Sequence, residues 1–472
     1  MDRLLIAATH RSSGKTTVGV GLVAALAARG AAVAPFKKGP DYIDPMWLAL
    51  AAGRPCHNLD PYLMTPAGIR RCFADGARGA ELAVVEGNLG LYDGMSLDGR
   101  DCNAALAKQL RAPVLLVIDA RGTTRGVAPL LLGYQAFDRD LKIGGVVLNR
   151  VGGSRHESRL RAVIEAHTDL PVLGAVAEDP RLAMVERHLG LVPCAEVDDP
   201  RSRIAAIGHI VGAQVDLERV RALAASAPAL RWPKPRPARA AAGLRIGIAR
   251  DRAFGFYYPD DLAALRAEGA ELVAIDTLRD RELPVLDGLF IGGGFPETCL
   301  DALEANATMR ASIRAAIVGG LPTYAECGGL MYLARSIAWN GRRAAMVGAI
   351  PGDVVMHARA VGRGYVHLRE TAAMPWPGGS DAPVRAHEFH HSSLENVDPA
   401  VRYAWRVERG HGIDGENDGL VVHNLLASYA HLRSAGGTGW AARFVRFVRS
   451  QQASARRREV SRPALALAEV VR

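Results

Sequence analysis

The sequence is poor in cysteine and has no C-x-x-C pair. Cys56, Cys72, Cys102, Cys194, Cys299 and Cys327 lie far apart. That spacing excludes a disulfide scaffold and a zinc ribbon. There is no long apolar run either. The opening "MDRLLIAATH" is too short for a signal segment or a membrane span, so a soluble cytoplasmic protein is expected. An excess of acid is also missing: the net charge is +9. Much of that charge falls in "RWPKPRPAR" (231–239) and in "RREVSR" near the end. With no recognition motif beside it, the charge does not point to nucleic acid; it fits a modest attraction for anionic substrates.

What is present is a strand-then-helix rhythm in a chain of 472 residues, too long for one ordinary core. Apolar strand candidates recur at 3–9, 31–36, 82–87, 113–120, 143–149 and 171–176. Several are apolar on both faces, as buried parallel strands are. Four prolines then mark 227–243 as a linker. A second rhythm begins at 244 and passes through 271–277, 287–294 and 321–329. The expectation is two doubly wound α/β domains, 1–226 and 244–450, with a frayed basic tail over 451–472.

"THRSSGKTT" (9–17) follows the first strand and opens a helix. Its Gly14-Lys15-Thr16 core is that of a P-loop, although Thr9 replaces the first glycine of the strict motif. Backbone N–H groups would cradle the phosphates of ATP, Lys15 would reach the β/γ-phosphates and Thr16 would hold Mg²⁺. Ser13 and Thr17 flank that core. "FKKGPDYIDP" (36–45) offers Lys37, Lys38, Asp41 and Asp44 at a strand's carboxyl end. "VEGNLGLYDG" (85–94) adds Glu86 and Asp93. Asp44 and Glu86 are the expected further metal ligands; Asp41 and Asp93 are expected to act on the substrate or its activation.

"LPTYAECGGLMYL" (321–333) reads strand, sharp turn, helix, with Cys327 at the turn. This is a nucleophile elbow, in which the Gly328 N–H donates to an oxyanion. Gly293 and Gly294 in "GGGFPE" would supply a second donor. The helix N-terminus is expected to lower the thiol pKa. A thiol nucleophile needs a base. His423, His431, His387, His390 and His391 all remain candidates on chemistry alone. "HEFHH" (387–391) also spells H-E-x-x-H, the helical signature of zinc peptidases, but the breaker-rich flank "PGGSDAPVRA" argues against a helix.

Taken together, "SSGKTTV", "PFKKGPDYIDP", "VVEGNLGLYDG", "GVVLNRVG", "IGGGFPE", "YAECGGLMYL", "HEFHHS" and "ASYAHL" resemble the cobyrinic acid a,c-diamide synthases over roughly 3–435. The resemblance implies a dethiobiotin-synthetase-like ATPase domain followed by a class I glutamine amidotransferase domain. It implies Cys327 as the glutaminase nucleophile, His431 as its base, and Asn149 where related ATPases contact adenine. It departs from the family pattern at His391, where relatives commonly carry tyrosine. After His431 comes Leu432-Arg433, with no acid two positions on, so a dyad rather than a triad is implied.

The resemblance further implies ATP, Mg²⁺ and L-glutamine, with an anionic tetrapyrrole as substrate and no nucleic acid or membrane partner. A homodimer is left open. The expected reaction is amidation of the a and c acetates of cobyrinate or hydrogenobyrinate through an acyl phosphate. The same chemistry on sirohaem, sirohydrochlorin or nickel-sirohydrochlorin is the alternative. A reading of another class is a non-catalytic P-loop partitioning or scaffold ATPase; the absence of a signature lysine at His10 speaks against it.

Overall fold

The computed structural model describes residues 1–184, 186–187, 190–233, 243–379 and 381–469. Two compact units divide the chain, Met1–Arg236 and Pro237–Arg472.

The first unit is built on seven parallel strands: β1 (Asp2–Ala8), β2 (Val33–Lys38), β3 (His57–Leu59), β4 (Leu82–Glu86), β5 (Val114–Asp119), β6 (Ile143–Val151) and β7 (Val172–Ala177). Their spatial order is β3-β2-β4-β1-β5-β6-β7. All six apolar runs expected from the sequence are strands, and β1, β2 and β4 are buried on both faces as such runs require. Strand β3 escaped the reading because "HNL" is short and polar. A two-stranded ribbon, β8 (Glu186–Arg187) with β9 (Gly190–Leu191), follows. Strand order reverses at β1, so the loops after β1, β2 and β4 gather at one edge, where open α/β sheets bind ligands.

Of the expected linker 227–243, residues 234–242 lie outside the described ones. Its first part is not a free tether. The Arg3 guanidinium donates to Pro228 O at 2.5 Å, and Trp232 stacks on Phe73 at 4.7 Å.

The second unit contains β10 (Leu244–Ala249), β11 (Phe254–Phe256), β12 (Ala270–Ile275), β13 (Gly288–Ile291), β14 (Gly293–Gly294) and β15 (Thr323–Glu326). There follow β16 (Ser336–Trp339), β17 (Arg342–Ala345), β18 (Asp353–Met356), β19 (Gly362–Glu370) and β20 (Val384–His390). Last come β21 (Ser392–Glu395), β22 (Arg402–Arg409), β23 (Asn417–Val422) and β24 (Leu425–Ser428). Nine of them form one sheet, β12-β10-β13-β15-β24-β23-β22-β19-β20. It is parallel from β12 to β24 and antiparallel beyond. The antiparallel half gave no apolar runs because β19 and β22 each keep exposed positions along their length.

Each face of this sheet has its own core. Ile246, Phe290, Tyr324 and Leu426 pack with Trp440, Phe444 and Val448 of the helix Trp440–Glu469, a stripe at i, i+4, i+8. Leu289, Ile291 and Ala325 pack on the other side with Met309, Ile313 and Ile317 of the helix Ala307–Val318. The stretch expected to fray from 451 continues that C-terminal helix to Glu469; residues 470–472 lie outside the described ones. Among the described residues no helix is long and apolar enough to cross a membrane.

Candidate active sites

In the first unit the chain leaves β1 and turns at Gly14, whose φ of 80° favours glycine, to start the helix Lys15–Ala28. A Cβ there would stand 2.1 Å from Asn149 Nδ2. Asn149 itself donates to Ser13 O at 2.9 Å, so the amide braces the loop. Ser13 Oγ donates to His10 O at 2.8 Å, and Tyr134 Oη donates to Thr9 O at 2.6 Å. The first helical turn carries Thr16 and Thr17 and no acid, which leaves its N–H dipoles uncompensated toward an anion.

Three carboxylates gather here. Thr16 Oγ1 donates to Glu86 Oε1 at 2.7 Å and to Asp44 Oδ2 at 3.3 Å. The Lys37 ammonium lies 2.5 Å from Asp44, 2.8 Å from Glu86 and 3.8 Å from Asp41. Burial opposes the Lys37 charge, but Asp44, Glu86 and Asp41 outweigh it and raise its pKa. Lys15 is buried nearby and donates to Leu89 O at 3.3 Å. Burial and then the Lys37 charge lower it to about 8. Asp41 is pushed up to about 7, first by burial and then by Asp44. Its Oδ1 accepts the N–H groups of Ile43 and Asp44 and so starts the helix Ile43–Ala52. Asp93 serves its own loop, accepting the Gly90 N–H at 2.9 Å. Lys37 was a bare candidate cation in the sequence; the period of two along β2 is the signal that turns it, like Glu86, toward this edge.

The Thr16, Asp44 and Glu86 oxygens fit Mg²⁺, a hard cation that takes oxygen ligands. Glu86 Oε2 supports that fit: it is buried and has no hydrogen-bond partner among the described residues.

In the second unit Cys327 follows β15 with φ 46° and ψ −103°, and caps the helix Gly328–Leu333. A non-glycine residue held there is strained, as at a nucleophile elbow. Its N–H donates to Ser428 O at 2.7 Å. The three expected oxyanion glycines meet at this corner. A Cβ on Gly328 would lie 2.7 Å from Gly294 O; one on Gly294, 2.0 Å from Ala253 O; one on Gly293, 2.7 Å from His431 Cε1. The thiol expectation is corrected. Burial, and then the carboxylate of Glu297, push Cys327 above its ordinary pKa and outweigh the Gly328 N–H.

Asp418 shapes the turn that brings His431 in. It is fully buried and accepts from the N–H groups of Tyr429 and Ala430 and from Ser428 Oγ. His431 Nδ1 lies 3.2 Å from Glu326 Oε2. The other oxygen of Glu326 accepts from Tyr324 Oη at 2.6 Å and from the Leu432 N–H at 3.0 Å. The sequence has no acid two positions after His431; this one stands beside Cys327, one residue before it. Burial, and then His390, lower His431 to about 3, so its resting ring is neutral.

The other candidate bases are placed elsewhere. His423 is exposed in the turn between β23 and β24, at the end of β24 opposite Ser428. His390 stacks on Tyr429 at 3.8 Å, and its Nδ1 lies 2.8 Å from Ser392 O. His387 stacks on His431 at 5.0 Å. Of the H-E-x-x-H stretch, His387–His390 lie on β20, where His387 and Glu388 point to opposite faces, and His391 follows its end. Glu388 accepts the N–H groups of His411 and Gly412. A strand separates positions i and i+4 by about 13 Å, so His387 and His391 do not form the helical zinc pair.

Residues 4–192 match the family model described as CobQ/CobB/MinD/ParA nucleotide binding domain. Residues 245–437 match the one described as CobB/CobQ-like glutamine amidotransferase domain. A cobyrinate a,c-diamide synthase of Magnetococcus marinus is 46% identical over 458 residues, covering 96% of this chain and 98% of that protein. One from Methanosarcina acetivorans is 42% identical over 461 residues, 92% of each. One from Listeria innocua is 38% identical, over 92% of this chain and 96% of that protein.

Proposed function

This chain belongs to the cobyrinate a,c-diamide synthase family, and from that premise we propose how its two units share one reaction. It is a glutamine-dependent ligase that forms amides. Its substrate is cobyrinate or hydrogenobyrinate, amidated on the a and c acetates; the relatives' names favour this over the sirohaem and sirohydrochlorin alternatives. The observation that carries the division of labour is the strained Cys327 elbow, closed by Gly293, Gly294 and Gly328, in a unit other than the one that holds the phosphate loop.

A carboxylate resists attack by ammonia, so it must first be activated. In the first unit the substrate carboxylate attacks the γ-phosphorus of ATP, ADP leaves and an acyl phosphate forms. Ser13, Gly14, Lys15, Thr16 and Thr17 bind the phosphates, and Asn149 holds the loop that presents them. Mg²⁺, held by Thr16, Asp44 and Glu86, would offset phosphoryl charge when bound. Lys37 neutralises the carboxylates there, Asp41 positions the helix that carries Asp44, and Asp93 shapes the substrate side of the loop.

In the second unit Cys327 passes its proton to His431 and attacks the glutamine carboxamide. The Gly328 N–H and the Gly293–Gly294 corner receive the oxyanion. The C–N bond breaks, the nitrogen takes the proton from His431 and leaves as ammonia, and water hydrolyses the thioester to glutamate. Ammonia then displaces phosphate from the acyl phosphate. The partners are small molecules, with no role for nucleic acid, and the cytoplasm supplies ATP and glutamine.

Cys327→Ala should abolish amidation with glutamine while amidation with ammonium salts persists, read as mass gain per amidation of cobyrinate. Loss of both activities in a folded variant would overturn the division of labour.

A further inference from the structure

We propose that Glu326 is the positioning carboxylate of the glutaminase site, accepting Nδ1–H of His431 and leaving the lone pair on Nε2 for the Cys327 proton. The inference rests on the reading of Cys327 and His431 as nucleophile and base. It replaces the dyad that the residues after His431 suggest.

Four observations carry it. First, Glu326 Oε2 lies 3.2 Å from His431 Nδ1, and both groups are buried; burial pushes Glu326 up to about 8, against which the Tyr324 hydroxyl and the Leu432 N–H favour the carboxylate. Second, Glu326 Oε1 accepts the main-chain N–H of Leu432 at 3.0 Å, so one carboxylate holds the ring and the backbone beside it. Third, Tyr324 Oη donates to the same oxygen at 2.6 Å, from two residues back on the same face of β15. The carboxylate is thus held from its own strand as well as by the backbone beside His431. Fourth, the place where an acid after the histidine would stand is taken by Arg433. Its guanidinium is fully buried, 3.1 Å from Asp260 and 4.6 Å over the Tyr258 ring. That residue anchors the start of the helix Pro259–Ala267 and so belongs to the scaffold.

The chemistry needs one tautomer. With Nδ1–H donated to a carboxylate, Nε2 takes the thiol proton, the imidazolium is stabilised beside Glu326, and the proton goes on to the leaving nitrogen. Glutamine at position 326 keeps the shape but can donate to Nδ1, which would place the proton on Nε2 and remove the base. Aspartate keeps the charge on a shorter arm. Glu326 touches neither glutamine nor the reacting sulfur in this scheme, so it acts through His431.

The test is glutamine hydrolysis by the full-length chain, with melting temperatures measured beside it. Glu326→Gln is expected to lower kcat by about 10²–10⁴-fold, with KM for glutamine within about threefold. Glu326→Asp is expected to recover at least about tenfold over the Gln variant. A Gln variant whose kcat stays within about threefold of the parent, or whose loss lies in KM, would overturn the proposal. Should the variants fail to fold, ¹⁵N-histidine NMR of the unmodified chain decides it: His431 protonated on Nδ1 supports it and on Nε2 overturns it. His431→Ala separates the two readings. If that variant still hydrolyses glutamine, the base assignment fails; if it is dead while Glu326→Gln is active, only the positioning role fails.

Discussion

Burial acts in opposite directions on Cys327 and His431, the proposed nucleophile and base. It raises the Cys327 thiol and lowers His431 to about 3, so the resting pair is thiol and neutral imidazole. The same shift has a stability consequence. An unfolded histidine takes up a proton near pH 6.5, whereas His431 in the fold resists it down to about 3. Its contribution is fully present above pH 6.5 and is lost as pH falls toward 3. The parent's melting temperature should therefore fall more steeply between pH 6.5 and 4 than that of His431→Gln. Lys15 makes a parallel case with a functional readout. Lowered to about 8 by burial, it is largely neutral at pH 8.5, and an added phosphate restores its charge. Calorimetry of ATP binding in buffers of different ionisation enthalpy should show proton uptake at pH 8.5 and little at pH 6.5. Lys15→Arg, always charged, should lose that uptake. Lys15 and Cys327 were legible in the sequence because a motif fixes their neighbours along the chain. Glu326 was not, because its partner lies 105 residues away and only strand pairing brings them together.

At the scale of elements, the proposed oxyanion corner is a packing of backbone on backbone. Gly294→Ala would drive a Cβ to 2.0 Å from Ala253 O, which neither chain can yield without opening the corner. Glutamine hydrolysis should drop by at least about 10²-fold, the size of losing one oxyanion donor. Gly341→Ala is the contrast. It sits at φ 76° in the β16–β17 turn with open space around it, so only backbone strain of about 1 kcal/mol is expected, with activity unchanged. Steady-state rates and melting temperatures of both variants check the pair. The sequence shows Gly294 at the end of a run of three and Gly341 alone after Asn340. It does not show which glycine faces a carbonyl and which faces solvent, because contact depends on loops from β11, β14 and β15 meeting. The apolar parallel strands were readable for the opposite reason: burial on both faces writes itself into composition. The antiparallel half, with exposed positions along β19 and β22, leaves no such mark.

For the molecule as a whole, two chemistries in two units predict two footprints. Hydrogen exchange with ATP and Mg²⁺ should gain protection over Thr9–Lys15 and Glu86–Asp93. A covalent glutamine analogue on Cys327 should protect Gly292–Gly294 and Gly328–Leu333 instead. A footprint from either ligand on the other set alone would contradict the assignment of chemistry to units. The parallel pairing of β15 with β24, Thr323 opposite Leu425 and Glu326 opposite Ser428, has a further consequence for how this protein can change. Cys327 and its neighbouring carboxylate are joined by a peptide bond, and His431, the proposed base, is delivered by a register of four residue pairs. Between Leu333 and Asn417 the chain takes a detour, and β20 is the part of it that returns to the site, where His387 and His431 exchange main-chain hydrogen bonds at 3.3 and 2.7 Å. Loops in that detour away from β20 can lengthen, shorten or be recast at a small entropic cost without moving the proton path. A one-residue slip of β24 would turn its side chains to the other face and undo it. The surface made by those loops is therefore the part of this unit most open to innovation, and the four rungs the part least open to it.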